Sequence, residues 1–222
     1  MWHDAVLVAG KDLRIEWRSR VGLNQVVPFA LVVLLLFGLA LGPDAGRLRA
    51  AAAGLFWVTV LLACLLSVQR SVAVETADAG RDGLRLSGLD AGGIFVGKSA
   101  ALALQLLVLE VVLAVVAALL YATPLSGIGL LVATCVLATA GLAAVGTFYG
   151  AVAAGTRVRE TLLPLLFFPV VAPVVLAATK AWSAALAHQS GGGLGWLGLL
   201  AIFSVAYVAI GTVAFGALLE DG

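Results

Sequence analysis

Six stretches of this chain are apolar enough and long enough to cross a lipid bilayer: residues 21–41, 50–68, 99–121, 126–154, 162–178 and 196–219. A hydrocarbon core about 30 Å thick takes about 20 residues of helix. Backbone N–H and C=O groups find no water there, so each run must pair its own as a helix or close into a barrel. The runs are continuous and lack period-two alternation, which excludes the barrel. Composition agrees, since 63% of the 222 residues are hydrophobic and 11% charged, against about 25% charged in soluble domains. That excludes a cytosolic enzyme, a secreted disulfide scaffold and a disordered chain. The expected fold class is an all-α integral membrane protein, a single transmembrane domain over residues 1–222 with six transmembrane helices. A net charge of +1 offers no basic face to nucleic acid.

An even number of spans puts both termini on one side, and the basic residues say which. Lys11, Arg14, Arg18 and Arg20 precede the first span; Arg70, Arg81, Arg85 and Lys98 lie between spans two and three; Arg157 and Arg159 follow span four. The other side holds Arg47, Arg49 and Lys180. Ten against three predicts cytoplasmic N- and C-termini. The first run reads as a retained helix rather than a signal peptide. It sits behind 20 residues of mixed charge, and Pro43 follows the small-residue stretch Ala40-Leu41-Gly42.

Residues 1–20 are too polar to span. Trp2, Val6, Ala9, Leu13 and Trp17 recur at spacings of 4, 3, 4 and 4, which lines one helix face. Basic residues beside a tryptophan-bearing face describe an interfacial amphipathic helix, with Trp2, Leu13 and Trp17 toward lipid. The largest segment outside the membrane, residues 70–98, is too short for an independent core. Its charged residues are Arg70, Glu75, Asp78, Arg81, Asp82, Arg85, Asp90 and Lys98. It is long enough for one or two short helices that dock on another protein. Span five carries Pro164, Pro169 and Pro173, each lacking a backbone N–H, and reads as a broken helix facing the interior of an assembly. Residues 180–195, with His188 and three successive glycines, read as an external loop or a short re-entrant element.

Gly92-Gly93-Ile94-Phe95-Val96-Gly97-Lys98-Ser99 satisfies the GxxxxGK[ST] pattern. That pattern binds phosphate only between a buried strand and the helix of a soluble α/β domain. Here a membrane span follows it, so Lys98 reads as a side chain reaching from the span toward the headgroups. Asp78 and Asp82 resemble a metal-binding aspartate pair, but the spacing and the further aspartates of such enzymes are missing. Glu110 is the one ionisable residue deep in a span, and such a carboxyl faces a cavity or a partner helix by default. His3 and His188 fall on opposite sides and cannot share a metal or a haem. Cys64 and Cys135 sit inside apolar runs and read as structural thiols. Gly38-x-x-x-Gly42 and Gly146-x-x-x-Gly150 permit close helix approach, within a bundle or across a dimer. No catalytic constellation and no metal site is expected.

Several short motifs stand in an informative order: Gly42-Pro43 closing span one, Gly54-Leu55-Phe56-Trp57 in span two, and Leu86-Ser87 with Asp90 between spans. Ile94-Phe95-Val96-Gly97-Lys98 enters span three, and Leu163-Pro164-Leu165 with Pro169 and Pro173 marks span five. With the interfacial helix and six spans, they resemble the permease half of an ABC-2 type exporter. Over essentially the full length the chain resembles the CcmB (haem exporter protein B) family of cytochrome c maturation. It departs from that family at Gly88, where a proline is usual.

The resemblance implies a multi-pass permease of the bacterial inner membrane, without a nucleotide-binding domain of its own. Its partners would be a separate ABC ATPase, a second permease copy, further cytochrome c maturation subunits and a periplasmic haem chaperone. ATP would act through the ATPase, haem would be the candidate cargo, and no cofactor would be bound directly. Residues 70–98 would then be the ATPase-coupling loop. The rival readings are an ABC-2 permease for a lipid, drug or glycan, and a stand-alone secondary transporter, which should show two matched halves.

Overall fold

The computed structural model describes residues 1–19, 22–77, 88–154, 159–187 and 190–220. Helix α1 (Trp2–Ser19) leads through one π-helical turn, Gly22–Val26, into α2 (Val27–Leu41). Then follow α3 (Ala45–Ala77), α4 (Ala91–Leu120), α5 (Ile128–Ala154), α6 (Arg159–Leu186) and α7 (Ser190–Glu220). Six helical segments are long and apolar enough to cross a membrane: Asn24–Leu41, Ala45–Val74, Ala91–Leu120, Ile128–Ala154, Leu163–Leu186 and Gly191–Leu218. Each overlaps one of the six apolar runs, and no strand occurs among the described residues. The fold is an all-α membrane protein.

Local chemistry sets the helix ends. Pro28 sits in the first turn of α2, where a missing N–H removes no helical bond. Gly42 closes that helix at φ +73, and Pro43 prevents its continuation. Asp44 then starts α3, accepting from the N–H groups of Gly46 at 2.8 Å and Arg47 at 3.2 Å. Asp90 does the same for α4 through Gly93 N–H at 2.7 Å. Ser126 Oγ donates to the carbonyls of Ala185 and Leu186, covering the end of α6.

The helices run further than hydropathy alone suggested. Within the expected 70–98 loop, α3 continues to Ala77 and α4 begins at Ala91. The physical reason is packing: Val72 is still buried on α3, and Ile94, Phe95 and Gly97 are already buried on α4. Likewise most of 180–195 is helix, with α6 reaching Leu186 and Gly191-Gly192-Gly193 lying in the first turn of α7. Bare backbone at Gly193 lets Leu130 approach, since a Cβ there would lie 2.5 Å from Leu130 Cδ2.

Helix α5 is the centre, packed on α3, α4, α6 and α7. Its glycines allow that. A Cβ at Gly141 would lie 2.8 Å from Ser204 Oγ on α7, and one at Gly146 or Gly150 would lie 2.7 or 2.9 Å from Val68 on α3. Gly146-x-x-x-Gly150 is therefore an intrachain seat. Gly38 likewise packs on Tyr121, where a Cβ would lie 3.3 Å from Cε1, and Tyr121 Oη donates to Leu34 O at 2.7 Å, tying α4 to α2. The main core gathers around Phe56, Trp57, Tyr121, Leu142 and Phe167. A smaller one joins α1, the start of α4 and the end of α7 through Val8, Ile94, Phe95 and Phe215.

Gly146→Leu should cost about 1–3 kcal/mol by overpacking the α3–α5 contact. Gly10→Ala, inside α1 with nothing within 4 Å of the new atom, should raise stability slightly, by no more than about 1 kcal/mol. Thermal unfolding of the two variants in detergent checks the pair.

Candidate functional site

At the end of the bundle that carries the N-terminus, α1 lies across the start of α4. Gly93 and Gly97, four apart, form the seat. A Cβ at Gly93 would lie 2.8 Å from Met1 O, and one at Gly97 would lie 2.6 Å from Ala5 O and 2.8 Å from Val8 Cβ. Backbone touches backbone there, as small residues four apart allow. Ala5 and Val8 are the buried residues of α1. Asp4 Oδ2 accepts from the N-terminal ammonium at 3.1 Å and from Asp90 N–H at 3.4 Å. The ammonium, helped by that N–H, holds the Asp4 carboxyl below the usual carboxylate range. Lys98 Nζ lies 3.6 Å from Asp12 Oδ2, with the lysine side chain 11% exposed.

This geometry accounts for the phosphate-loop-like pattern. Its residues from Gly92 to Ser99 lie inside α4. The glycines serve helix packing, against Thr212 at Gly92 and against α1 at Gly93 and Gly97. The helix N-terminus, where an anion would sit, already holds the Asp90 carboxylate. Lys98 is turned to Asp12 rather than reaching freely toward the membrane surface.

The remaining charged residues of the 70–98 segment are placed unevenly. Arg70 Nη1 donates to Gln25 Oε1 at 3.3 Å, linking α3 to the π-helical turn. Glu75 lies in the last turns of α3, while Asp78, Arg81, Asp82 and Arg85 fall outside the described residues, as does His188. On α1, Trp2 is 73% and Trp17 80% exposed, and Leu13 is half-buried. The two tryptophans therefore face away from the protein.

Deep in the bundle, Glu110 of α4 is 2% exposed. Thr139 of α5 donates its hydroxyl to Glu110 Oε1, and the Cys135 side chain is a second hydrogen-bonding neighbour. Oε2 is buried with no partner among the described residues. The carboxyl thus joins α4 to α5 instead of facing a cavity. Cys64 packs nearby, its Sγ 3.8 Å from Leu142 O, and both thiols are free.

Pro164, Pro169 and Pro173 do not break the fifth span: α6 runs continuously from Arg159 to Leu186. A proline leaves the carbonyl four residues before it without its helical donor, yet the helix continues through all three. Tyr207 Oη on α7 donates to Val170 O at 2.7 Å, in the turn preceding Pro173. The buried face of α6 is Leu163, Phe167, Val171, Val174 and Ala178, so Pro169 falls on the exposed side. At the far end of the bundle, Phe56, Trp182, Ala114 and Ala117 line an apolar cavity of about 20 Å³, which is room for one water.

Sequence reasoning missed Asp4, Asp12, Thr139 and Tyr207. Asp12 could have been found, because it follows Val8 by four on the face opposite the tryptophans. The small-x-x-x-small spacing at Gly93 and Gly97 was also present, inside the phosphate-loop-like pattern. Thr139 and Tyr207 had no local signal, since their partners lie 29 and 37 residues away.

Thr139→Val should cost about 1–3 kcal/mol, because it leaves a buried carboxyl with only the weak Cys135 thiol as donor. Combining it with Glu110→Leu should recover much of that loss, since an apolar pair of similar shape leaves nothing unsatisfied. Tryptophan-monitored thermal unfolding of both variants decides this.

The sequence profile of the CcmB protein family matches residues 4–222. Heme exporter protein B of Paracoccus denitrificans is 33% identical over 171 residues, covering 77% of this chain and 78% of that protein. The protein of the same name from Haemophilus influenzae is 30% identical over 210 residues, 95% of this chain and 94% of the relative. That from Rhodobacter capsulatus is 30% identical over 166 residues, 75% and 76% of the two chains. A match over nearly the whole chain, on a bundle of six membrane-crossing helices, establishes that this protein belongs to the CcmB family.

Proposed function

We propose that the protein is the permease subunit of an ABC transporter in cytochrome c maturation. The observation that carries this reading is the CcmB match across residues 4–222. In this reading it sits in the bacterial inner membrane with both termini in the cytoplasm, as ten basic residues against three favour. A separate ATPase subunit hydrolyses ATP, and two permease copies pair with two ATPase copies. The coupled step is delivery of haem, or release of a haem-loaded periplasmic chaperone. Relatives carrying the name heme exporter protein B support haem as the cargo.

The residues divide the work in a definite way. The segment 78–90, flanked by Arg70 and Glu75 on α3 and by Asp90 and Lys98 on α4, receives the ATPase. Its charges set the register of docking. Motion then enters the membrane along α3 and α4, both packed on the central α5. Glu110 and Thr139 carry it from α4 to α5 at mid-membrane. Helix α6 lacks three backbone N–H donors, at Pro164, Pro169 and Pro173, and is in this reading the span that bends most readily. Helix α1 lies in the cytoplasmic interface with Trp2, Leu13 and Trp17 toward lipid.

Co-expression with a cytochrome-maturation ATPase tests the reading. The tagged protein should co-purify with the ATPase and change its hydrolysis rate. Replacing Glu75, Asp82 and Arg85 together by alanine should lower that response at least about tenfold, about 1.4 kcal/mol of coupling, with membrane insertion unchanged. An ATPase that neither binds nor responds would instead favour a stand-alone transporter.

A further inference from the structure

Helix α1 carries three acids, Asp4, Asp12 and Glu16, and three bases, Lys11, Arg14 and Arg18, so its side-chain charges cancel along the sequence. Folding separates them. Asp4 is turned to the N-terminal ammonium and the Asp90 N–H at the start of α4. Asp12 is turned to Lys98 at 3.6 Å, and only 22% of its side chain is exposed. Glu16 is also half-buried. Arg14 and Arg18, four residues apart, are exposed and make no ion pair among the described residues. Lys11, one turn earlier, is 50% exposed and leans on Asp12 at 3.2 Å.

Three stripes result. Ala5, Val8 and Asp12, at spacings of three and four, face α4. Trp2, Val6, Leu13 and Trp17 form the second stripe, with Val6 71% exposed. Lys11, Arg14 and Arg18, again at spacings of three and four, form the third on the outward side. Asp4 and Asp12 are drawn toward α4, so that of the third stripe only Lys11 keeps an acidic neighbour on α1, Asp12, among the ion pairs of the described residues.

We propose that Lys11, Arg14 and Arg18 form a docking stripe for anionic phospholipid headgroups, beside the apolar stripe that enters the acyl boundary. The proposal deepens the interfacial reading of α1 given above and rests on it. Two features name the occupant. The stripe's positive charge complements an anionic leaflet, which attracts basic side chains within a Debye length. The apolar stripe also leads toward the lipid-facing surface of the spans: α2 follows α1 after one π-helical turn and is exposed at Phe29 and Val32 in its first half. A headgroup layer, rather than a soluble protein, meets both a charged stripe and an apolar stripe on one helix.

The test uses the full-length protein in phosphatidylcholine vesicles with bimane on Gly10→Cys, a position with open space around it. Quenching by brominated phosphatidylglycerol is compared with quenching by brominated phosphatidylcholine. The expected result is quenching at lower mole fraction by the anionic lipid. That preference should fall about fivefold for each of Arg14→Gln and Arg18→Gln, survive in Arg14→Lys, and weaken with salt. Equal quenching by the two lipids would overturn the headgroup proposal and leave the interfacial reading standing. A preference untouched by both substitutions would overturn it too, by locating the anionic site elsewhere. No quenching by either lipid would remove α1 from the membrane surface and overturn both.

Discussion

Two apolar helices surrounded by lipid gain little from hiding side chains against each other, because the acyl chains are as apolar as leucine. What holds them together is close van der Waals contact and the few hydrogen bonds that cross between them. In this bundle the contact depends on α5. Gly141, Gly146 and Gly150 remove side chains where α7 and α3 approach, and Val68 and Ser204 occupy the space released. Four other helices are positioned by that one. Side chains on those glycines would push apart the helices on which every other contact depends.

Polar groups inside the bundle follow two rules. Among the described residues, five hydroxyls return to the carbonyl four residues back on their own helix: Thr59, Ser67, Thr134, Ser183 and Thr212. Such bonds satisfy the hydroxyl but say nothing about tertiary arrangement. A smaller set crosses between helices: Tyr121 to Leu34, Ser204 to Leu137, Tyr207 to Val170, and Thr139 to Glu110. These bonds set the rotation of α2 against α4, of α5 against α7, of α6 against α7 and of α4 against α5. In hydrocarbon the alternative partner, water, is missing, so each crossing bond specifies its neighbour.

Much of this was legible before any coordinates. The six spans were visible because burial in lipid needs only length and apolarity, which are local properties. The amphipathic pattern of α1 was visible because helical period alone sorts Trp2 and Trp17 from Asp12. The helices run past the apolar runs, to Ala77 where the run ends at Val68 and from Ala91 where the run starts at Ser99. Charged residues at the ends of α3 and α4 look like loop in a hydropathy profile, yet a helix continues wherever its inward face still packs. The three prolines were read as breaks for a similar reason. Whether a proline breaks a helix depends on the packing around it, and α6 runs through all three.

Apolarity, helical period and the order of short motifs determined the membrane solvent, the number of spans and the family, since each is a property of residues near one another in the chain. Only the tertiary structure decided what the glycines from 92 to 97 are for, because a seat for α1 and a cradle for phosphate have the same spelling. Only it paired Glu110 with Thr139, and only it sorted the charges of α1. Asp4 and Asp12 find Asp90 and Lys98 eighty-six residues further along, leaving Arg14 and Arg18 to face outward. A helix that is electrically neutral as a sequence thereby becomes polarised as a surface, because ion pairs are chosen by distance in space and not by position in the chain.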